Sequence, residues 1–85
     1  MPTASITVRV LLFASYADQL GAEFVEVTVP APARVGAVLE RVRRLPGGDR
    51  LPARPLCALN LAHVGDDAII APGDELALLP PLAGG

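Results

Sequence analysis

The sequence predicts an α+β domain in which one main helix packs across a mixed sheet. Three observations carry that expectation. Two stretches near the start, Ser5–Ala14 and Ala22–Val29, alternate apolar and polar residues with the period of two that strands require. Apolar residues between Ala33 and Leu45 then recur at helical spacing. Near the end, Glu75–Leu79 reads E-L-A-L-L, apolar on both faces, as a strand in the middle of a sheet must be.

In the first stretch Ile6, Val8, Val10 and Leu12 alternate with Thr7 and Arg9 before the pattern turns continuously apolar, which predicts a strand whose second half is buried on both faces. Ser15–Gly21 is polar enough for a loop or short helical turn, ended by Gly21. The next strand places Phe24, Glu26 and Thr28 on a wet face and Val25, Val27 and Val29 on a dry one, and pairs antiparallel with the first. Pro30 and Pro32 stop it, because proline cannot donate to a ladder. Val35, Val38, Leu39, Val42 and Leu45 then share one helical face. Glu40 and Arg44 are spaced for an i, i+4 pair, and Arg41, Arg43 and Arg44 suit the negative end of the helix dipole. Gly36 inside the helix costs about 1 kcal/mol relative to alanine, so packing must hold it. Pro46-Gly47-Gly48 ends it. A third strand is expected at Leu56–Leu61, then a turn at Gly65-Asp66-Asp67, the small apolar group Ala68-Ile69-Ile70 as an optional short strand, and a tight turn centred on Pro72-Gly73. With the first and last strands as parallel neighbours, this order is a β-grasp, the ubiquitin-like roll.

The bulk numbers exclude much. Eighty-five residues make one domain, with residues 1–79 as the roll and 80–85 as a tail. A chain this short has one modest core and no room for a deep catalytic cavity. The net charge of −2 offers no basic field for nucleic acid. No apolar run approaches the roughly 20 residues of a bilayer span. Met1–Ser5 lacks the basic and apolar regions of a signal peptide, so the expected location is cytoplasmic. All seven cations are arginine, which leaves no side-chain amine to accept an isopeptide bond. Cys57, the one cysteine, lies in an apolar run and reads as a small buried hydrophobe; His63, the one histidine, reads as a loop or strand-edge residue. No catalytic triad and no metal-ligand spacing is present.

The chemistry is therefore expected in the tail, Pro80-Pro81-Leu82-Ala83-Gly84-Gly85. Two prolines cannot extend the ladder and favour a stiff extended chain. Six residues reach at most roughly 20 Å. Gly84 and Gly85 carry no side chain, so their backbone fits a narrow slot that would exclude any larger residue. The bland reading is a frayed end with two accidental glycines. A protein partner is expected on one sheet face near the tail. Leu76, Leu78 and Leu79 exceed what one helix can cover, Phe13 and Leu61 join them, and Pro80, Pro81, Leu82 and Ala83 lead on to the glycines.

The stretch G-D-E-L-A-L-L-P-P-L-A-G-G, Gly73–Gly85, closely resembles the closing motif of molybdopterin synthase small subunits, the MoaD family of sulfur carriers. V-L-L-F-A at Val10–Ala14, Gly21 beyond it, and A-L-N at Ala58–Asn60 resemble the same family. Ala17-Asp18 departs from it, where an arginine followed by an acid is common, and no threonine caps the helix near Ala33. The resemblance implies a protein without catalysis of its own that binds no cofactor. Its Gly85 carboxylate is adenylated by a MoeB-like adenylyltransferase using ATP and Mg, then converted to a thiocarboxylate by a sulfurtransferase. Its tail enters a MoaE-like large subunit in a heterotetramer, where the sulfur is given to a cyclic pyranopterin precursor. A carrier for thiazole synthesis or tRNA thiolation, a ubiquitin-like modifier, and an inert β-grasp interaction module are the competing readings.

Overall fold

The computed structural model describes residues 4–52 and 55–80. The opening alternation becomes β1, Ser5–Leu12, followed by a short helix α1, Ser15–Leu20, and then β2, Phe24–Pro30. Gly21 takes φ 72° and its N–H donates to the Ala17 carbonyl, a left-handed cap that glycine adopts without steric cost. The helical period becomes α2, Val35–Arg43, preceded by a two-residue strand β3, Ala33–Arg34. A hairpin of β4, Leu56–Leu59, and β5, Ala62–Val64, comes next; β6 is Ile69–Ile70 and β7 is Glu75–Leu79.

The main sheet has the order β2-β1-β7-β4-β5, and β3 pairs with β6 in a small ladder of its own. β1 and β7 are parallel, with Val10 beside Leu76 and Leu12 beside Leu78, while the other neighbours are antiparallel. This is the expected β-grasp, a mixed sheet with one main helix across it. One face of the sheet contributes Val8, Val10, Val29, Leu76 and Leu78, each at most 1% exposed, to a core shared with Val35, Val38 and Val42 of α2. Burying such side chains contributes about 1.5–3 kcal/mol each. Apolar residues at helical spacing met apolar residues at strand spacing, and the two patterns closed on each other.

No side chain caps α2 at Arg34. The segment before β6 caps it instead: Val35 N–H donates to the Ala68 carbonyl at 2.9 Å and Gly36 N–H to the Asp66 carbonyl at 3.0 Å. The Arg34 guanidinium donates to the Asp67 carbonyl at 2.8 Å, tying the same segment to the helix start. Those contacts satisfy the orphan donors that a threonine would have served in part.

Three expectations are corrected. Leu56–Leu61 is not one strand but the first half of a hairpin. Asn60 and Leu61 form its turn with φ 49° and 75°, the left-handed pair that a two-residue hairpin loop needs. Asn60 is held there by its side chain: Nδ2 donates to Asp74 at 2.9 Å, and Oδ1 accepts from the Glu75 N–H at 3.1 Å. The Asn60 bond, and next the Ala71 N–H, hold the Asp74 carboxyl below its ordinary pKa. β6 falls in the apolar group Ala68-Ile69-Ile70, where an optional strand is expected, but its pairing with β3 is unforeseen, since two residues are too few to show a period. Finally, the second half of β1 is buried on one face only, because nothing among the described residues covers the other side of the sheet.

Candidate functional site

The uncovered face of the sheet is divided along the strands. Because β1 and β7 run in parallel, the ends at Leu12 and Leu79 lie together, and the antiparallel β2 and β4 bring Phe24 and Leu56 to the same end. Side chains on this face at that end are apolar. Leu11 stands opposite Phe24, Ala77 lies between Leu11 and Ala58, and Leu79 stands opposite Leu56. Phe13 follows Leu12, whose partner on β7 is Leu78, the residue before Leu79. Phe13 and Phe24 are 44% exposed and Leu56 is 48% exposed, so these rings and methyls face solvent. The opposite end is polar: Thr7 and Thr28 share a 3.1 Å hydrogen bond across the strands, and Arg9 is flanked by Glu26 and Glu75 in register. The Arg9 guanidinium, 4.4 Å from the Phe24 ring centroid, marks the border between the two halves.

The chain leaves the sheet at the apolar end. β7 is central, held by β1 on one side and β4 on the other, and its last residue, Leu79, pairs with Leu56 of β4. Pro80 follows, half-buried, and cannot continue the ladder. An apolar platform thus surrounds the point where the tail departs.

Of the residues expected at a partner surface, Leu79, Phe13 and Pro80 lie at this platform. Leu76 and Leu78 do not. Both are 0% exposed and point into the core beneath α2, so they hold the strand in place and present nothing to a partner. One-face alternation within E-L-A-L-L sends them inward and Ala77 and Leu79 outward. Leu61 is 99% exposed but sits in the β4–β5 turn. β4 runs away from the exit point, so Leu61, five residues after Leu56 and in the turn beyond β4, lies at the far end of the sheet. Pro81, Leu82, Ala83, Gly84 and Gly85 lie outside the described residues. Phe24, Leu11 and Leu56 were missed as members of the platform. Phe24 carried a usable signal, an aromatic residue alternating with Glu26 and Thr28 on a wet face.

The side chains capable of nucleophilic chemistry are elsewhere. Cys57 is 4% exposed and donates to the Pro55 carbonyl at 3.4 Å; burial, and next the charge of Asp66, push its thiol up to about 11. Tyr16 is buried with its hydroxyl unpartnered among the described residues, and burial, with Cys57 second, raises its pKa. Both keep their protons at neutral pH. His63 is exposed on the edge strand β5, opposite Ala58. Among the described residues no group of three or more His, Cys, Asp or Glu is placed to hold a metal ion, and no helix is long and apolar enough to cross a membrane.

Sheet order, crossing helix and exit point together define a ubiquitin-like β-grasp domain. Residues 10–85 match the model of the ThiS family, and the chain belongs to that family of ubiquitin-like sulfur carriers. It is 32% identical over 84 residues to the molybdopterin synthase sulfur carrier subunit of Arabidopsis thaliana, a match covering 98% of this chain and 88% of that protein. The crystal structure of small archaeal modifier protein 1 from Haloferax volcanii matches with a TM-score of 0.80 at 30% identity, over 93% of this chain and 99% of that one. A chain in the complex of subunits 1 and 2 of the molybdopterin-converting factor from Helicobacter pylori shares the fold, with a TM-score of 0.65 at 21% identity over 94% of this chain and all of that one.

Proposed function

We propose that this protein is the sulfur-carrying small subunit of a molybdopterin synthase, with the Gly85 carboxylate as the group that is activated and loaded. One observation carries the reading: a strand anchored on both sides runs straight into Pro-Pro-x-x-Gly-Gly at the one apolar end of an otherwise polar sheet face. A carboxylate is a poor acyl donor, so loading begins at a partner. An adenylyltransferase using ATP and Mg joins AMP to the carboxylate and releases pyrophosphate. A sulfurtransferase persulfide then attacks the acyl carbon and expels AMP. A thiol cleaves the resulting acyl disulfide, leaving the thiocarboxylate on Gly85 and a disulfide on the donor. The tail then enters a MoaE-like large subunit, which supplies the acid-base groups for sulfur transfer to the cyclic pyranopterin precursor. That reading is supported by the Arabidopsis sulfur carrier subunit at 32% identity and by a fold shared with a chain of a two-subunit complex. The platform of Phe13, Phe24, Leu56 and Leu79 supplies affinity, and the diglycine supplies the reacting end.

The likeness to small archaeal modifier protein 1 favours a second reading, a carrier whose activated glycine is joined to other proteins. Intact-mass spectrometry with a MoeB-like adenylyltransferase, ATP and a persulfide donor tests the first. A mass gain equal to sulfur replacing oxygen, followed by loss of that sulfur to precursor when the large subunit is added, supports it. No mass gain refutes it. Loading without transfer, accompanied by amide adducts on lysine-containing proteins, shifts the assignment to the modifier.

A further inference from the structure

The sheet has two outer strands, and they differ. β5 is three residues long, whereas β2 is seven residues long and pairs with β1 alone. The β1–β2 register fixes which backbone groups of β2 are unpaired. Leu12 N–H donates to the Glu23 carbonyl and Ala31 N–H to the Ala4 carbonyl, so residues 23, 25, 27, 29 and 31 turn their backbone groups toward β1. Phe24, Glu26 and Thr28 therefore turn their N–H and C=O groups outward, where no hydrogen bond meets them among the described residues. Pro30 has no N–H and ends the free edge. Such an edge is a template for another strand.

Beside this edge lies a groove of about 280 Å³ whose far wall is the C-terminal part of α2 and the residues after it. Arg41, Arg44 and Leu45 face Glu26, Val27 and Thr28 across it. Glu26 stands opposite Arg9 on the uncovered face of the sheet, which leaves the helix-side wall with two exposed guanidinium groups and a half-buried leucine. We infer that this groove takes an extended acidic peptide from a partner protein, added to the sheet as a strand outside β2. Its backbone pairs with Glu26 and Thr28. Alternate side chains face α2, so the pattern is acid, any residue, aliphatic, any residue, acid. The carboxylates meet Arg41 and Arg44, and the aliphatic side chain covers Leu45. A second copy of this chain fits poorly, because pairing β2 with β2 sets two arginine walls side by side. This surface is separate from the tail exit, and the inference does not depend on what the tail carries.

The test is an amide NMR titration of the full chain with the peptide acetyl-Glu-Thr-Val-Thr-Glu-amide and its glutamine counterpart. Saturable shifts are expected at the Glu26 and Thr28 amides, with smaller ones at the Val25 and Val27 amides that point toward β1. The glutamine peptide, or the double variant Arg41→Ala with Arg44→Ala, should bind at least about fivefold more weakly. Both arginines are exposed, so circular dichroism should report an unchanged fold. The inference is overturned by unshifted β2 amides at millimolar peptide, by equal affinity for the two peptides, or by sedimentation showing that β2 is occupied by a second copy.

Discussion

Leu78 and Leu79 are chain neighbours on β7, and the structure gives them opposite tasks, so exchanging them for other residues should produce opposite phenotypes. Leu78 is 0% exposed beneath α2. Leu78→Ala removes core methyls and leaves a cavity, which costs about 2–5 kcal/mol. A chain of this length has about 4–13 kcal/mol in total, so the variant loses a large part of it. The midpoint of thermal unfolding should fall by about 10–30 °C. Leu79 lies on the uncovered face opposite Leu56, and Leu79→Arg can turn its charge to water in the free protein, costing about 1 kcal/mol or less. In the complex the same arginine sits in an apolar contact. Lost leucine burial of about 1 kcal/mol and the penalty of about 1–3 kcal/mol for an unpaired polar group add to about 2–4 kcal/mol. That corresponds to about 30- to 1,000-fold weaker binding to the large subunit. Urea unfolding followed by circular dichroism measures the first effect, and titration calorimetry with the large subunit measures the second. Unchanged affinity in folded Leu79→Arg would remove the platform from the interface. A larger stability loss for Leu79→Arg than for Leu78→Ala would mean that the two faces of β7 are assigned the wrong way round.

Gly84→Val, or conversion of the Gly85 carboxylate to an amide, should abolish sulfur transfer while shifting the unfolding midpoint by less than about 2 °C, read by the mass assay and a thermal melt. Gly47→Ala should be far costlier than its size implies, about 2 kcal/mol or more. Gly47 has φ 86°, and an added Cβ would overlap the Gln19 carbonyl of α1; stability equal to wild type in urea would contradict that packing. The Cys57 thiol should resist iodoacetamide at pH 8 in the native protein and react once urea unfolds it. Its pKa is raised to about 11 in the fold, so the stability it contributes is complete below the ordinary thiol value near 9.0 and declines as pH rises from there toward 11. Rapid native-state alkylation would place the thiol on the surface.

Local periodicity was enough to read β1, β2 and α2, because each repeats apolar residues over several turns or pleats within its own stretch, while β7 was legible as an unbroken apolar run. Gly21 and Pro72-Gly73 were equally legible as stops; Gly73 takes φ 88° and the Asp74 N–H closes its turn onto the Ala71 carbonyl at 3.1 Å. The β4–β5 hairpin was not legible, since Leu61 is a poor advertisement for a left-handed turn residue, and the turn forms there because Asn60 donates to Asp74 and accepts from the Glu75 N–H.

By itself the sequence determined that a helix would cross a mixed sheet, that β7 would be central, and that two prolines and two glycines would follow it. It could not say which leucines of E-L-A-L-L face the helix, because four consecutive apolar residues carry no parity. Tertiary structure decided that. Registry with β1 turned Leu76 and Leu78 inward, and an antiparallel β4 brought Leu56 to Leu79 while carrying Leu61 to the far end. Hydrophobicity belongs to a residue, whereas exposure belongs to its neighbours, and the neighbours of Leu79 come from strands far away along the chain.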